Sequence, residues 1–551
     1  MKKPIYFFIA LLCCYFSITG CKPASHADAI YYNGKIYTVD SLFTVVTAFA
    51  IKDGKIVATG SDEAILKYDA PIKTDLKGAF VYPGFHDAHC HVYGYGIDLT
   101  KINLVGTTSF SAVIDTVNLH NEKRTGGWIF GRGWDQNDWE EKTYPDKAIL
   151  DSLYPDIPVF LLRIDGHAAL VNTKALQLAG INETTEVSGG ELIKSGKHLT
   201  GIILDKAVDL VYEIVPKPDV KAQINALMQA QSDCFAVGLT HVTDAGIENG
   251  GEKYDLIKRI DSLQQSGKLK LRMNVMADLS ELNLYTNSPK IKTPSLSVTG
   301  FKVYADGALG SRGACLLQPY SDEPNHYGYL IHSPKTLDSI AGVVAQTDYQ
   351  LNTHCIGDSA QRLMLQLYSK YLKGDTNRRW RIEHAQVIDT ADLHYYRDAH
   401  ILPSVQPTHA TSDMYWAEDR LGPVRVKGAY AYKWLMEQNG MVAAGSDFPV
   451  EYINPLFGFY AAVSRKDQKG FPAKGFQPEN ALTRQEALRA MTIWAAYAAF
   501  NENETGSLTI GKYADFVITD QDLMTAPEPL LWQTKVIATY VGGEHVYGRL
   551  P

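Results

Sequence analysis

Short apolar runs alternate with amphipathic stretches of helical period through the middle of the chain. A run of strand length followed by a helix is the repeating unit of parallel α/β folds, so eight such runs predict an α/β protein with a (β/α)8, TIM-like barrel. Helical stretches lie at 220–237, 254–266, 359–372 and 429–439. The eight strand-like runs are 81–91, 238–244, 269–277, 298–306, 350–354, 380–385, 401–406 and 441–447.

The first two strand-like runs lie about 150 residues apart, whereas a βα unit needs only ~30 residues. We therefore predict that a subdomain is inserted after the first barrel strand, over about residues 99–217. Near the other end, Thr483 and Glu486 have the spacing of a capping box, and the apolar period after them predicts one closing helix over 483–500. The barrel is expected to occupy residues 83–504.

Both ends of the chain are rich in β-forming residues and turn signals. Asn33-Gly34 and Asp53-Gly54 each separate two short β-type runs, which predicts two hairpins near the N-terminus. Similar runs recur close to the C-terminus. We predict that residues 29–82 and 505–551 together form one small composite β-sandwich domain.

The N-terminus has the pattern of an export signal. Lys2 and Lys3 precede a short apolar run, and residues 18–21 read Ile-Thr-Gly-Cys. A basic start, an apolar core and a small-residue exit are typical of a secretory signal, and the core is too short for a membrane span. Residues 18–21 resemble the bacterial lipobox, which implies a signal peptide over 1–20, lipidation of Cys21 and a tether over 21–28. We expect an exported bacterial lipoprotein, anchored in a membrane at the periplasm or the cell surface; the alternative is an ordinary signal peptide with an incidental cysteine.

Composition narrows the class of protein. The chain has 551 residues, of which 45% are hydrophobic and 21% are charged. These values are near the globular average and exclude a disordered, fibrous or polytopic membrane protein. The formal net charge is −8, so nothing in the charge balance favours nucleic acid as a partner.

Several strand-like runs end in a residue that can bind a metal or move a proton. In a barrel enzyme the carboxyl ends of the strands form the active-site face. A single histidine at such a position is more often a hydrogen-bonded structural residue, but histidines, a lysine and a carboxylate on five strand ends together favour a zinc-type catalytic site. The candidates are His89, His91, Lys302, His354, His384 and Asp447.

Ordered motifs resemble a known family of metal-dependent hydrolases. Residues 83–91 read Pro-Gly-Phe-His-Asp-Ala-His-Cys-His, residues 354–358 read His-Cys-Ile-Gly-Asp, and residues 381–386 read Arg-Ile-Glu-His-Ala-Gln. Together they resemble the amidohydrolase superfamily, within it amidohydrolase family 3, the subgroup with N-substituted formamide deformylase. Further matching segments are 131–137, 165–167, 301–312, 445–449 and 506–515.

The resemblance implies a centre of one or two divalent metal ions, with zinc as the expected metal. By position, His89, His91 and Asp447 bind one ion and His354 and His384 a second. Lys302 occupies the place of a carboxylated, bridging lysine; the alternative for it is a salt bridge to Asp306 or Asp244. His86 departs from the family motif, and we interpret it as a polar wall residue.

The implied reaction is hydrolysis of a non-peptide C–N bond in an amide, an N-formyl amine or an N-acyl amine. A metal-activated hydroxide attacks the carbonyl carbon, and Asp447 takes the proton and passes it to the leaving amine. The expected partner is a small-molecule substrate. The oligomeric state stays open, with a homodimer as one option.

Substrate-binding candidates come from strand ends and from the insert. Asp306 and Arg312 follow Lys302 in a glycine-rich loop, where a structural role is the favoured interpretation. A buried structural role is equally open for the tryptophan of the insert. The full set is Trp134, Asp135, Gln136, His167, Asp306, Arg312, Gln406 and His409.

Two other classes of function compete with a C–N hydrolase. One is a lipid-anchored binding or regulatory protein that kept the fold without catalysis. The other is a hydrolase with a different bond specificity, or an isomerase, on the same scaffold. All six expected metal positions are filled, which favours the enzyme.

Overall fold

The computed structural model describes residues 26–122, 124–125, 127–246 and 253–550. Eight parallel strands form its central sheet, hydrogen-bonded to one another in reverse chain order from the last to the first. The first and last strands meet through backbone bonds from Asp447 N to His89 O and from His91 N to Phe448 O, each 2.8 Å long. The predicted barrel is confirmed. Its strands are β1 (Phe85–Cys90), β2 (Leu239–Asp244), β3 (Arg272–Asp278), β4 (Leu296–Tyr304), β5 (Gln350–Cys355), β6 (Arg381–His384), β7 (Leu402–Val405) and β8 (Ala443–Ala444).

The run 81–91 contains two strands rather than one. Phe80–Pro83 belongs to a terminal sheet, and β1 begins after Gly84. A Cβ at Gly84 would lie 2.2 Å from Oγ1 of Thr240, so only glycine lets the chain enter the barrel this close to β2.

Helices cover the outside of the barrel, and their ends follow local capping chemistry. Asp219 accepts a hydrogen bond from Ala222 N at 2.8 Å and begins the helix Val220–Ala236. The capping box of Thr483 and Glu486 is present. The prediction of one closing helix over 483–500 is wrong, because the backbone at Thr492 leaves the helical region and two shorter helices form. The helices are Val92–Asp98, Val220–Ala236, Lys253–Gln265, Leu282–Thr286, Pro334–Val344, Asp358–Leu372, His394–Asp398, Pro407–Asp413, Ala417–Arg425, Tyr432–Asn439, Pro455–Ser464, Arg484–Ala490 and Ile493–Ala498.

The two ends of the chain share one sandwich of two sheets. Rings of Tyr31, Phe49, Phe516 and Tyr540 stack between the sheets and join the N-terminal to the C-terminal segment. The four-stranded sheet contains Ala29–Tyr32, Ala48–Lys52, Lys55–Gly60 and Ile72–Asp75, and the helix Asp62–Ile65 lies beside it. The six-stranded sheet contains Lys35–Tyr37, Val45–Val46, Phe80–Pro83, Phe516–Thr519, Val536–Val541 and Glu544–Gly548.

Only one of the two predicted hairpins forms. Asp53 and Gly54, with φ of 50° and 72°, turn Ala48–Lys52 into its antiparallel partner, as predicted. The hairpin at Asn33 is wrong: the strands before and after it lie in different sheets. The chain changes sheets there because Tyr31 and Ile36 then both enter the shared core.

The insert after β1 is a seven-stranded sheet with its own apolar cores. Its strands are Ile102–Asn103, Arg124–Thr125, Trp128–Trp134, Val159–Arg163, Ala168–Val171, Gly190–Ser195 and His198–Asp205, and its helices are Phe110–Leu119, Ala148–Leu153, Thr173–Leu178 and Lys206–Tyr212. The barrel, the composite sandwich and this insert together confirm the predicted fold class.

Within the described residues, every helix is too short or too polar to cross a membrane. Residues 1–20 and Cys21, on which the export and lipidation predictions depend, lie outside the described residues.

Candidate metal centre

The six predicted metal ligands all lie at the carboxyl end of the barrel sheet. His89 belongs to β1, Lys302 to β4 and His354 to β5, while His384 ends β6 and Asp447 follows β8. His384 and Asp447 have φ of 70° and 65°, in the left-handed region that non-glycine residues seldom adopt. Backbone strain of this kind clusters at functional sites, where the surrounding fold enforces it.

The side chains converge around Asp447. Its Oδ1 lies 3.2 Å from Nε2 of His91 and 3.5 Å from Nε2 of His89, and its Oδ2 lies 3.9 Å from Nδ1 of His384. One ligand atom each from His89, His384 and Asp447 lies within 4.8 Å of the others, and all three residues are buried. Two imidazoles and a carboxylate at this separation form a donor set suited to a zinc-type ion.

Two further predicted ligands, His354 and Lys302, extend this cluster. The ring centroids of His354 and His384 are 4.5 Å apart. Nζ of the buried Lys302 lies 3.3 Å from Nε2 of His89, so the lysine reaches the same centre. The described residues therefore offer one three-ligand group, His89, His384 and Asp447, with Lys302 and His354 beside it.

Buried partners fix the orientation of the histidines. Nδ1 of His89 lies 2.5 Å from Oε2 of Glu383, and Glu383 is held by Arg381, whose Nε lies 2.7 Å from its Oε1. Nδ1 of His384 lies 2.8 Å from Oε1 of Gln406. A carboxylate or amide behind a ligand histidine sets its tautomer and leaves Nε2 to the metal.

The electrostatics give these groups the protonation states of ligands. Burial lowers the pKa of His89 to about 4, assisted by the charge of Lys302 and opposed by Glu383. Burial also holds the pKa of His384 well below its ordinary value. Burial alone would raise the pKa of Asp447, but its hydrogen bond with His91 and the neighbouring rings hold that pKa well below the ordinary value. Neutral imidazoles and an ionised carboxylate are what metal binding requires, so the residues fit the group.

Three of the predicted substrate residues, His167, Gln406 and His409, lie beside the cluster. The ring centroid of His167, from the insert, is 5.0 Å from that of His354. Nε2 of His409 lies 3.7 Å from Oδ2 of Asp447. Oε1 of Gln406 contacts Nδ1 of the predicted ligand His384.

The remaining predicted substrate residues make structural contacts, and Oδ1 of Asp306 also lies 3.8 Å from Nε2 of the predicted ligand His354. Asp306 accepts hydrogen bonds from three backbone N–H groups that follow β4 and β5. Arg312 pairs with Asp322 at 2.9 Å. Trp134 is buried in the insert, and its Nε1 donates to Leu161 O at 2.7 Å. Asp135 and Gln136 both bind the buried Arg163.

His86 lies deeper in the barrel and stacks on His241 with ring centroids 4.0 Å apart. Burial, with Arg381 nearby, lowers the pKa of His86 to about 3, so the ring is neutral. Its Nε2 lies 3.2 Å from Oγ1 of Thr243, as suits a polar residue of the barrel wall.

Two supporting carboxylates were not among the sequence candidates. Glu383 stands beside His384 in the same motif, and that position was its only signal. Asp205 lies 2.6 Å from Nδ1 of His167, and no sequence pattern connects these two residues.

Comparisons with known proteins agree with this geometry. Residues 74–547 match the sequence model of the Amidohydrolase family. YtcJ of Bacillus subtilis is 31% identical over 527 residues, which cover 95% of this chain and 99% of YtcJ. N-substituted formamide deformylase of Arthrobacter pascens is 26% identical over 553 residues, covering 95% and 98%. The crystal structure of an uncharacterized metal-dependent hydrolase from Pyrococcus horikoshii matches with a TM-score of 0.73 and 27% identity, covering 91% of this chain and 99% of the other.

Proposed function

The chain belongs to the amidohydrolase family, and from this premise we propose that it hydrolyses a non-peptide C–N bond in an amide, an N-formyl amine or an N-acyl amine. Membership of the family makes it a metal-dependent hydrolase. The name of the formamide deformylase relative supports the choice of bond. The observation that carries the proposal is the convergence of His89, His384 and Asp447 at the carboxyl end of the barrel.

Asp447 is the proton carrier in the proposed reaction. Its low pKa keeps it ionised, so it can accept a proton from the attacking water. The water oxygen bonds to the carbonyl carbon, the C–N bond breaks, and Asp447 returns the proton to the leaving nitrogen. Amide nitrogen is a poor leaving group, so this protonation is required for C–N cleavage.

The metal is proposed to be held by His89, His91 and Asp447, with His354 and His384 for a second ion. A zinc-type ion there supplies Lewis-acid chemistry, polarising the scissile carbonyl and lowering the pKa of the water. Glu383 and Gln406 hold the two histidines on β1 and β6 in the required orientation.

We also propose that Lys302 is carboxylated when two ions are bound. A free ammonium beside two cations would be repelled, whereas the neutral amine can add to carbon dioxide and lose a proton to form an anionic carbamate. The carbamate would offer two oxygen donors to the metal centre. Two metal ions per chain and carbamate density at Lys302 are expected; one ion beside an unmodified lysine would contradict the carbamate but not the hydrolase.

The experiment is turnover of a panel of N-formyl and N-acetyl amines that share one amine, measured as released amine. We expect zinc-dependent release that stops on chelation and returns with metal. Asp348→Asn, at an exposed aspartate, is the matched control for Asp447→Asn and should retain full rate. Binding without turnover would indicate a binding protein, and cleavage of matched esters alone would indicate a C–O hydrolase.

We propose further that the protein is exported and anchored through lipid on Cys21. The support is the signal-like sequence before that residue. Cys21→Ser should move the protein from the membrane fraction to the soluble fraction without loss of activity. A variant that stays in the membrane fraction would contradict the anchor.

A further inference from the structure

Among the described side chains, three arginines are completely buried, and two of them have a carboxylate partner. Arg163 pairs with Asp165 at 2.5 Å, and Arg381 pairs with Glu383 at 2.7 Å. Arg465 is equally buried, at 0% exposure, but the described residues provide no carboxylate within 4.0 Å of its guanidinium. Arg465 therefore lacks the carboxylate contact that the other two have, although the more distant charge of Glu479 acts to raise its pKa.

The contacts of Arg465 leave the end of its guanidinium available. Its Nε donates to Phe476 O at 2.9 Å. Nη1 and Nη2 are buried and have no hydrogen-bond partner in the described part of the chain. The rings of Tyr432 and Phe476 lie 5.1 and 5.8 Å from Cζ. Nη1 and Nη2 therefore lie beside aromatic rings and have no hydrogen-bond acceptor among the described residues.

The physical chemistry of such a group requires an anion. Burial lowers the pKa of Arg465 to about 10, which still leaves the side chain positive at neutral pH. Aromatic faces compensate a cation only in part, and water satisfies the N–H groups without neutralising the charge. Two parallel N–H donors in one plane match a halide or the two oxygens of a carboxylate.

We propose that Arg465 is a binding site for a small monovalent anion, either a halide or a carboxylate of formate size. Because the guanidinium is completely buried, an anion at Nη1 and Nη2 would be enclosed with it, which favours a small anion. The site is separate from the metal centre but connected to it: Tyr432, which faces the guanidinium, donates a hydrogen bond to Gln406 O at 2.8 Å. This inference does not depend on the proposed hydrolase function.

The test is thermal unfolding of the full chain at constant ionic strength, with gluconate replaced stepwise by chloride, bromide or formate. A ligand that binds only the folded state raises the melting temperature in a saturable way, by about 2 °C at a hundredfold excess over Kd for a chain of this length. Arg465→Gln should abolish the shift. Arg397→Gln removes the same charge from an exposed arginine and should retain it.

The titrations also distinguish a halide from a carboxylate, because the ion that the site prefers raises the melting temperature at a lower concentration. Because Arg465→Gln changes a completely buried side chain, a crystal of the unmodified chain grown in bromide provides a second measurement that does not depend on the variant. Anomalous density against Nη1 and Nη2 is expected. Equal shifts in both variants, or only water at the guanidinium, would overturn the proposal.

Discussion

Replacement of Glu383 by Gln should weaken metal binding and the fold together. Gln keeps the shape but removes the charge that pairs with Arg381 and accepts from His89. Loss of the carboxylate behind a ligand histidine typically costs 10–100-fold in metal affinity. Glu383 and Arg381 are both 0% exposed, so the remaining guanidinium becomes an uncompensated buried charge, which costs about 3–5 kcal/mol of unfolding free energy.

Two measurements separate these effects: the apparent zinc Kd by competition with a chelator, and urea unfolding of the metal-free protein. The double variant Glu383→Gln with Arg381→Gln removes both charges, so it should recover much of the unfolding free energy without restoring zinc affinity. Glu63→Gln, at an exposed ion pair with Lys67, is the control and should change the unfolding free energy by less than about 1 kcal/mol. Unchanged zinc affinity in Glu383→Gln would refute the role assigned to the carboxylate.

Three further predictions concern catalysis, pH and packing. Asp447→Asn should lower kcat by about 10²–10⁴-fold, because an amide cannot accept the water proton; a near-normal rate in the metal-loaded variant would contradict this role. Because the pKa of His86 is depressed in the folded chain, the unfolded chain binds a proton there that the folded chain does not. This residue therefore lowers the free energy of unfolding as the pH falls from about 6.5 to about 3. His86→Gln should reduce the slope of unfolding free energy against pH by about 1.4 kcal/mol per unit in that range, while His198→Gln, at an exposed histidine, should leave the slope unchanged. Gly458→Ala should stabilise the helix Pro455–Ser464 by up to about 1 kcal/mol in thermal or urea unfolding, since a Cβ there meets nothing within 4 Å; lower stability would show that the space is not available.

The barrel was predictable because its strands carry a local signal. Each is an apolar run that ends in a polar residue, and parallel strands bring those ends together whatever the intervening loops do. The positions of His354 and His384 followed from that rule alone. The prediction of a hairpin at Asn33 failed because the same turn residues also allow the chain to pass from one sheet to the other.

Residues that support others were less visible in the sequence. Strand alternation would place Glu383 and His384 on opposite faces, but the positive φ of His384 breaks the alternation and lets both serve the metal centre. Asp135 and Gln136 look like residues of a binding loop, yet they bind Arg163, a long-range pairing that no local pattern reports. The family motifs predicted the ligands; the partners that orient them required coordinates.

The two backbone bonds that join β1 to the segment after β8 run through His89 and Asp447 themselves. Two predicted metal ligands therefore lie at the seam of the barrel, and the two sides of that seam are the most distant parts of the barrel in chain order. During synthesis the donor set stays incomplete until residue 447 has left the ribosome and the last strand has docked against the first. A truncated or stalled chain consequently lacks the predicted ligand pair at the seam, so the predicted metal site is completed by the last step of barrel closure rather than by an early one.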